Sequence, residues 1–100
     1  MEIELEGRLF EWDDEKEKIN IRKHGIEFTR AIGVFFDEFR FEQFDRNHSD
    51  TEEERWKIIG MVDGILVVIC TERGNSTRII SAREATKNER KDYYYGYRKN

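Results

Sequence analysis

Apolar and polar positions divide the 100-residue chain into short segments of distinct period. Arg8-Leu9-Phe10-Glu11-Trp12 is a short apolar/polar stretch and predicts an edge strand. Asp14-Glu15-Lys16-Glu17 then places carboxylates in a first helical turn. Arg22, Lys23 and His24 before Gly25 read as the last turn of that helix and its stop. Phe28, Ala31, Ile32 and Phe35 recur at i, i+3, i+4 and i+7, the core stripe of a second helix. Phe39, Phe41 and Phe44 suggest a strand with a disturbed end, and residues 45–54 a polar loop. Arg55 to Val62 reads as a strand with Trp56, Ile58 and Val62 on one face and Ile59 and Met61 on the other. Asp63-Gly64 is a two-residue hairpin signal. Ile65 to Thr71 is apolar at both parities, as in a central strand covered on both faces. Gly74-Asn75 marks a second turn, and Thr77 to Ile80 a last strand. Ser81-Ala82-Arg83-Glu84 matches a capping box, predicting a C-terminal helix from about Arg83 to Tyr93. These elements make one α+β domain over residues 1–100, an antiparallel sheet with two N-terminal helices and a C-terminal helix.

Composition narrows the setting. The lone Cys70 excludes an internal disulfide, reads as a small core residue and fits a reducing, cytoplasmic compartment. The acidic N-terminus lacks the apolar run of a signal peptide, and Ile65 to Cys70 is too short to cross a membrane. The net charge is −4. It is unevenly spread: residues 1–54 hold 8 Lys/Arg and 17 Asp/Glu, a balance of −9, whereas residues 55–100 hold 10 and 5, a balance of +5. A basic half presents a local field to phosphates even in an acidic chain.

Several short motifs stand in order: E-W-D at 11–13, N-x-x-K-H-G at 20–25, H-S-x-x-E-E-x-R at 48–55, I-G-M-V-D-G-I-L-V-V at 59–68, T-E-R-G at 71–74, R-I-I-S-A-R at 78–83 and E-R-x-x-Y at 89–93. Together they resemble the BrnT family, toxins of bacterial type II toxin–antitoxin pairs, over about residues 10 to 93. The resemblance implies a small RelE-like ribonuclease fold and RNA cleavage that inhibits translation. It also implies a BrnA-like antitoxin with a ribbon-helix-helix DNA-binding part, and a complex that represses its own promoter. DNA would be reached only through the antitoxin, and the pair would dimerise through it as a heterotetramer. The chain departs from the family pattern in a longer N-terminus, a missing proline after Phe36, and the aromatic run Tyr93-Tyr94-Tyr95-Gly96-Tyr97.

RNA is cut without metal or cofactor when its 2′-hydroxyl attacks the adjacent phosphorus. The enzyme then holds the phosphate in line, neutralises its oxygens and moves two protons. Guanidinium suits the second task, because its planar fork binds phosphate bidentately and stays charged. Arg78 and Arg83 are the expected catalytic arginines. By strand parity they face opposite sides, a conflict that a helix starting at Ser81 removes. Lys23, His24, His48 and Glu53 are candidates for phosphate contact, proton transfer or orientation, and Arg55, Arg73 and Tyr93 for substrate binding. Each has a plainer reading. Arg78 and Arg83 pair with acidic residues, Lys23 and His24 cap a helix, His48 caps a strand, Glu53 and Arg55 form a surface pair, Arg73 flanks a turn, and Tyr93 anchors a polar helix in the core. The histidine spacing makes no metal site. An alternative for the whole protein is a non-catalytic module that binds the antitoxin and co-represses the operon.

Overall fold

The computed structural model describes residues 1–47 and 53–99. Strands β1 (Glu2–Leu5) and β2 (Arg8–Glu11) form an antiparallel hairpin around Glu6-Gly7, both with positive φ (51° and 82°). The sequence reading places only β2. Glu6-Gly7 lacks the Asn or Asp that usually marks such a turn.

Helix α1 (Asp14–His24) starts where the Asp13 carboxylate accepts the amides of Glu15 (2.8 Å) and Lys16 (3.2 Å). It stops at Gly25, whose left-handed φ of 69° lets its amide reach the carbonyl of Ile21. The helix has almost no apolar face to bury, since Ile19 and Ile21 are 43% and 41% exposed. A polar side chain docks it instead. Asn20, buried, donates to the carbonyls of Ile26 (2.9 Å) and Ala82 (2.8 Å) and accepts the amide of Ala82 (3.0 Å).

The predicted second helix is divided into α2 (Phe28–Ala31) and a 3-10 turn, Ile32–Phe36. That turn lies hard against the sheet: a Cβ added at Gly60 would stand 2.8 Å from the Cβ of Val34, so only glycine fits. Strands β3 (Phe41–Phe44), β4 (Arg55–Met61), β5 (Ile65–Arg73) and β6 (Ser76–Glu84) follow, then α3 (Lys87–Lys99). The strand order is β1-β2-β6-β5-β4-β3, with every pairing antiparallel except β2 with β6.

The last strand and last helix differ from expectation. β6 continues to Glu84, so Ser81 and Arg83 lie on a strand and the expected helix start at Ser81 is corrected. The reason is tertiary: β5 pairs with residues 81–84, and Asn20 satisfies both backbone groups of Ala82. The capping box is Thr86-Lys87-Asn88-Glu89. The amide of Glu89 donates to the Thr86 hydroxyl (3.2 Å), and that of Thr86 to the Glu89 carboxylate (2.9 Å).

One sheet face packs Ile58, Leu66, Val68, Cys70 and Ile79 against α2 and the 3-10 turn. Burial, with the charge of Glu72 adding to it, pushes the Cys70 thiol up to about 12 and leaves it unreactive. The other face packs Ile59, Ile65 and Val67 against Ala85 and Tyr93. The Tyr93 hydroxyl donates to Asp37 (2.6 Å), which also accepts the amides of Met61 and Phe39. Burial favours protonating Asp37, but these donors outweigh it and hold the carboxyl below its ordinary value. No helix among the described residues is long and apolar enough to cross a membrane.

Docking through one buried amide has a measurable consequence. Asn20→Ala removes three hydrogen bonds and strands the buried backbone of Ala82, so it is expected to cost about 3 kcal/mol. The check is the urea midpoint, which falls while the slope stays unchanged; a shift below about 0.5 kcal/mol contradicts the docking role.

Candidate active site: a cationic groove on the open half of the sheet

The face under α3 is only partly covered. Beyond Ile59 and Val67 it opens into a groove of about 760 Å³, lined by Arg46, Arg55, Lys57, Ile69, Ser81 and Arg83 and, from the β3 side, by Gln43 to Asn47. Register explains why the cations share this side. Arg55 stands opposite Thr71 and Lys57 opposite Ile69; on the next strand Thr71 faces Arg78, Ile69 faces Ser81 and Val67 faces Arg83. Directly opposed residues project from the same face.

Arg78 and Arg83 are five residues apart, so a regular strand would point them to opposite faces. The register shifts between Ile69 and Cys70, whose partners are Ser81 and Ile79, leaving Ile80 as the extra residue of a β-bulge. The bulge, and not a helix start, puts both arginines on one face.

Carboxylates already hold these cations. Arg55 Nε meets Glu53 at 3.1 Å, with each side chain about one-third exposed. Arg78 Nη1 meets Glu11 at 3.0 Å. Arg83 makes a bidentate pair with Glu89, Nη1 to Oε1 at 2.6 Å and Nη2 to Oε2 at 2.9 Å. Lys57 Nζ adds a 3.1 Å bond to Oε2, and the Thr86 amide a 2.9 Å bond to Oε1. Glu89, 7% exposed, therefore accepts two hydrogen bonds on each oxygen. The Arg83 hydrogen bonds, ahead of the Thr86 amide and Lys57, outweigh burial and hold its carboxyl far below 4.5. The hydrogen bonds to Glu89 likewise push Arg83 above its ordinary value.

The other expected residues fall around this centre. Lys23 and His24, exposed on the last turn of α1, line a cleft of about 200 Å³ that shares Ile80 and Ser81 with the groove. Arg78 shares the face but does not line the groove. Arg73 is exposed at the far end of β5. Tyr93 is 4% exposed, belongs to the core under α3 and does not line the groove. His48 lies outside the described residues. Lys57, Arg46 and Asp45 are charged groups of the groove that the sequence reading does not single out; nor does it single out Glu89, which does not line the groove but holds Arg83 and Lys57. Lys57 was within reach, since it shares Arg55's parity on a predicted strand. Among the described residues, no group of three His, Cys, Asp or Glu side chains is placed to hold a metal.

The geometry thus defines a small α+β domain with a groove lined by Arg46, Arg55, Lys57 and Arg83 on an open sheet face. Residues 12–89 match the family model described as ribonuclease toxin, BrnT, of type II toxin–antitoxin system. The chain belongs to this family, whose members are ribonuclease toxins acting on RNA and paired with an antitoxin protein. Among solved structures it is similar to the Brucella abortus ribonuclease toxin BrnT, a 1.1 Å crystal structure. The identity is 26% and the TM-score 0.57, covering 76% of this chain and 94% of that one. No curated protein matches the chain.

The Glu89 cluster makes a signed pH prediction. A carboxyl lowered by folding contributes stability that is fully present above its unfolded value of 4.5 and is lost as pH falls toward its folded value. Glu89→Gln is expected to lower stability at pH 7 by about 2 kcal/mol and to flatten the acid limb below 4.5. Urea midpoints from pH 7 down to about 3 read both effects. An unchanged acid limb contradicts the ionised clamp.

Proposed function

We propose that the groove binds an RNA phosphate and that the protein is a metal-independent, RelE-like endoribonuclease. The observation that carries this reading is the convergence of Arg55, Lys57 and Arg83 on one groove. Guanidinium and ammonium groups there neutralise the phosphate oxygens as the 2′-hydroxyl attacks and the 5′-oxygen leaves. Glu53 orients Arg55 across their 3.1 Å pair. Arg78, on the same face, extends the field toward the flanking phosphate, and Arg73 extends it along β5.

Proton transfer falls to the histidines. His24, with Lys23 beside it, stands in the adjoining cleft across Ile80 and Ser81. His48 is the second candidate by chemistry, since an imidazole changes charge near neutral pH. A BrnA-like antitoxin neutralises the toxin, joins two toxin–antitoxin pairs as a heterotetramer and carries all contact with DNA. The setting is the bacterial cytoplasm, where RNA cleavage stops translation.

One observation favours a second reading, a partner-binding module without catalysis. Carboxylates already occupy Arg55 and Arg83, so the groove accepts acidic side chains as readily as phosphate. Incubation of purified protein with a defined RNA in EDTA separates the two. The parent is expected to cleave, with Arg83→Lys and Arg55→Ala reducing the rate by about 100-fold. No cleavage by the parent, with or without ribosomes, transfers the assignment to the binding module.

A further inference from the structure

Two groups of the groove, Arg83 and Lys57, converge on one carboxylate that comes from neither of their strands. Glu89 sits in the first turn of α3, where the Thr86 amide fixes Oε1 and burial excludes water. Of the four hydrogen bonds its carboxylate accepts, one thus comes from the helix start and three from the cations it holds.

The way it holds Arg83 is selective. A guanidinium has five N–H donors. Nη1 uses both of its donors, on Glu89 Oε1 (2.6 Å) and the Glu84 carbonyl (3.3 Å); Nη2 uses one, on Oε2 (2.9 Å). Glu89 thus takes the end of the fork. Among the described residues, the donors left are Nε–H and the second Nη2–H, which lie parallel along one edge and suit a bidentate phosphate. Among the described residues, Lys57 has one of its three donors on Oε2 and keeps the others. The cluster carries two positive charges and one negative, so it remains attractive to an anion.

We propose that Glu89 is a positioning residue for this groove. It locks the end of Arg83 and the ammonium of Lys57 so that the Nε–Nη2 edge of Arg83 is presented to the scissile phosphate. This rests on the ribonuclease reading and adds to it a residue that touches no substrate. A guanidinium free to turn about its long side chain would meet the phosphate in many orientations. One held at its far end meets it in one, and misplacement by about 1 Å costs on the order of 100-fold in rate.

Thr86 supplies the control, because its hydroxyl caps α3 without touching Arg83 or Lys57. Cleavage of a defined RNA and thermal midpoints are measured for the parent, Thr86→Ala, Glu89→Gln, Arg83→Lys and the Arg83→Lys/Glu89→Gln double variant. Thr86→Ala is expected to lower the midpoint with parental kcat. Glu89→Gln is expected to lower kcat about 10- to 100-fold with little change in KM, and to add almost nothing once Arg83 is Lys. Parental or raised kcat in Glu89→Gln overturns the proposal, as does a kcat loss matched by Thr86→Ala. Failure of the parent itself to cleave overturns the ribonuclease reading and this inference together; cleavage by the parent with an indifferent Glu89→Gln overturns this inference alone.

Discussion

The Glu89 carboxylate is where the architecture of this protein closes. A buried charge is stable only when its lone pairs are met, and here they are met by the cap of α3, a guanidinium on β6 and an ammonium on β4. One group thereby fixes the start of the last helix, the side-chain direction of two adjacent-but-one strands and the charge of the groove between them. Helix α3 has few apolar positions apart from Tyr93, which anchors it through Asp37, so this polar join carries much of its docking.

The remaining geometry brings groups to that centre. The bulge at Ile80 turns an odd spacing into a shared face and so aligns Arg78 and Arg83 with Arg55 and Lys57. Asn20 seats α1 against the same strand two residues later, which carries Lys23 and His24 to the edge of the bulge. The N-x-x-K-H-G motif reads accordingly: the asparagine docks, the next two named residues face the cleft, and the glycine ends the helix. On the ribonuclease reading proposed above, the cations on this open sheet face are the groups that grip RNA.

Much of the fold was legible because its signals are local. Asp13 and Gly25 bracket α1, Asp63-Gly64 turns β4 into β5, and the apolar run of β5 predicts a strand covered on both faces. What was not legible depends on partners distant in sequence. Ser81-x-x-Glu84 and Thr86-x-x-Glu89 match the same capping pattern, and only the pairing of β5 and Asn20 with residues 81–84 decides for the second. The bulge leaves no mark in composition. The arginines are identifiable by type, but their common side comes from the bulge at Ile80 and not from a helix start at Ser81. Glu89 opens the E-R-x-x-Y motif, yet its role needs the fold, because its partners lie 6 and 32 residues away.

The most direct test is side-chain NMR of the arginines during titration with an RNA oligonucleotide carrying a 2′-deoxy sugar at the cleavage position. Cleavage is then blocked while phosphate binding remains. The account predicts that the Nε–H of Arg83 and Arg55 shifts with RNA, that Arg8 and Arg30 on the helix-covered face do not, and that the Glu89 carboxylate keeps its signal. Shifts confined to Arg8 or Arg30, or displacement of Glu89 from Arg83 by the RNA, would contradict it.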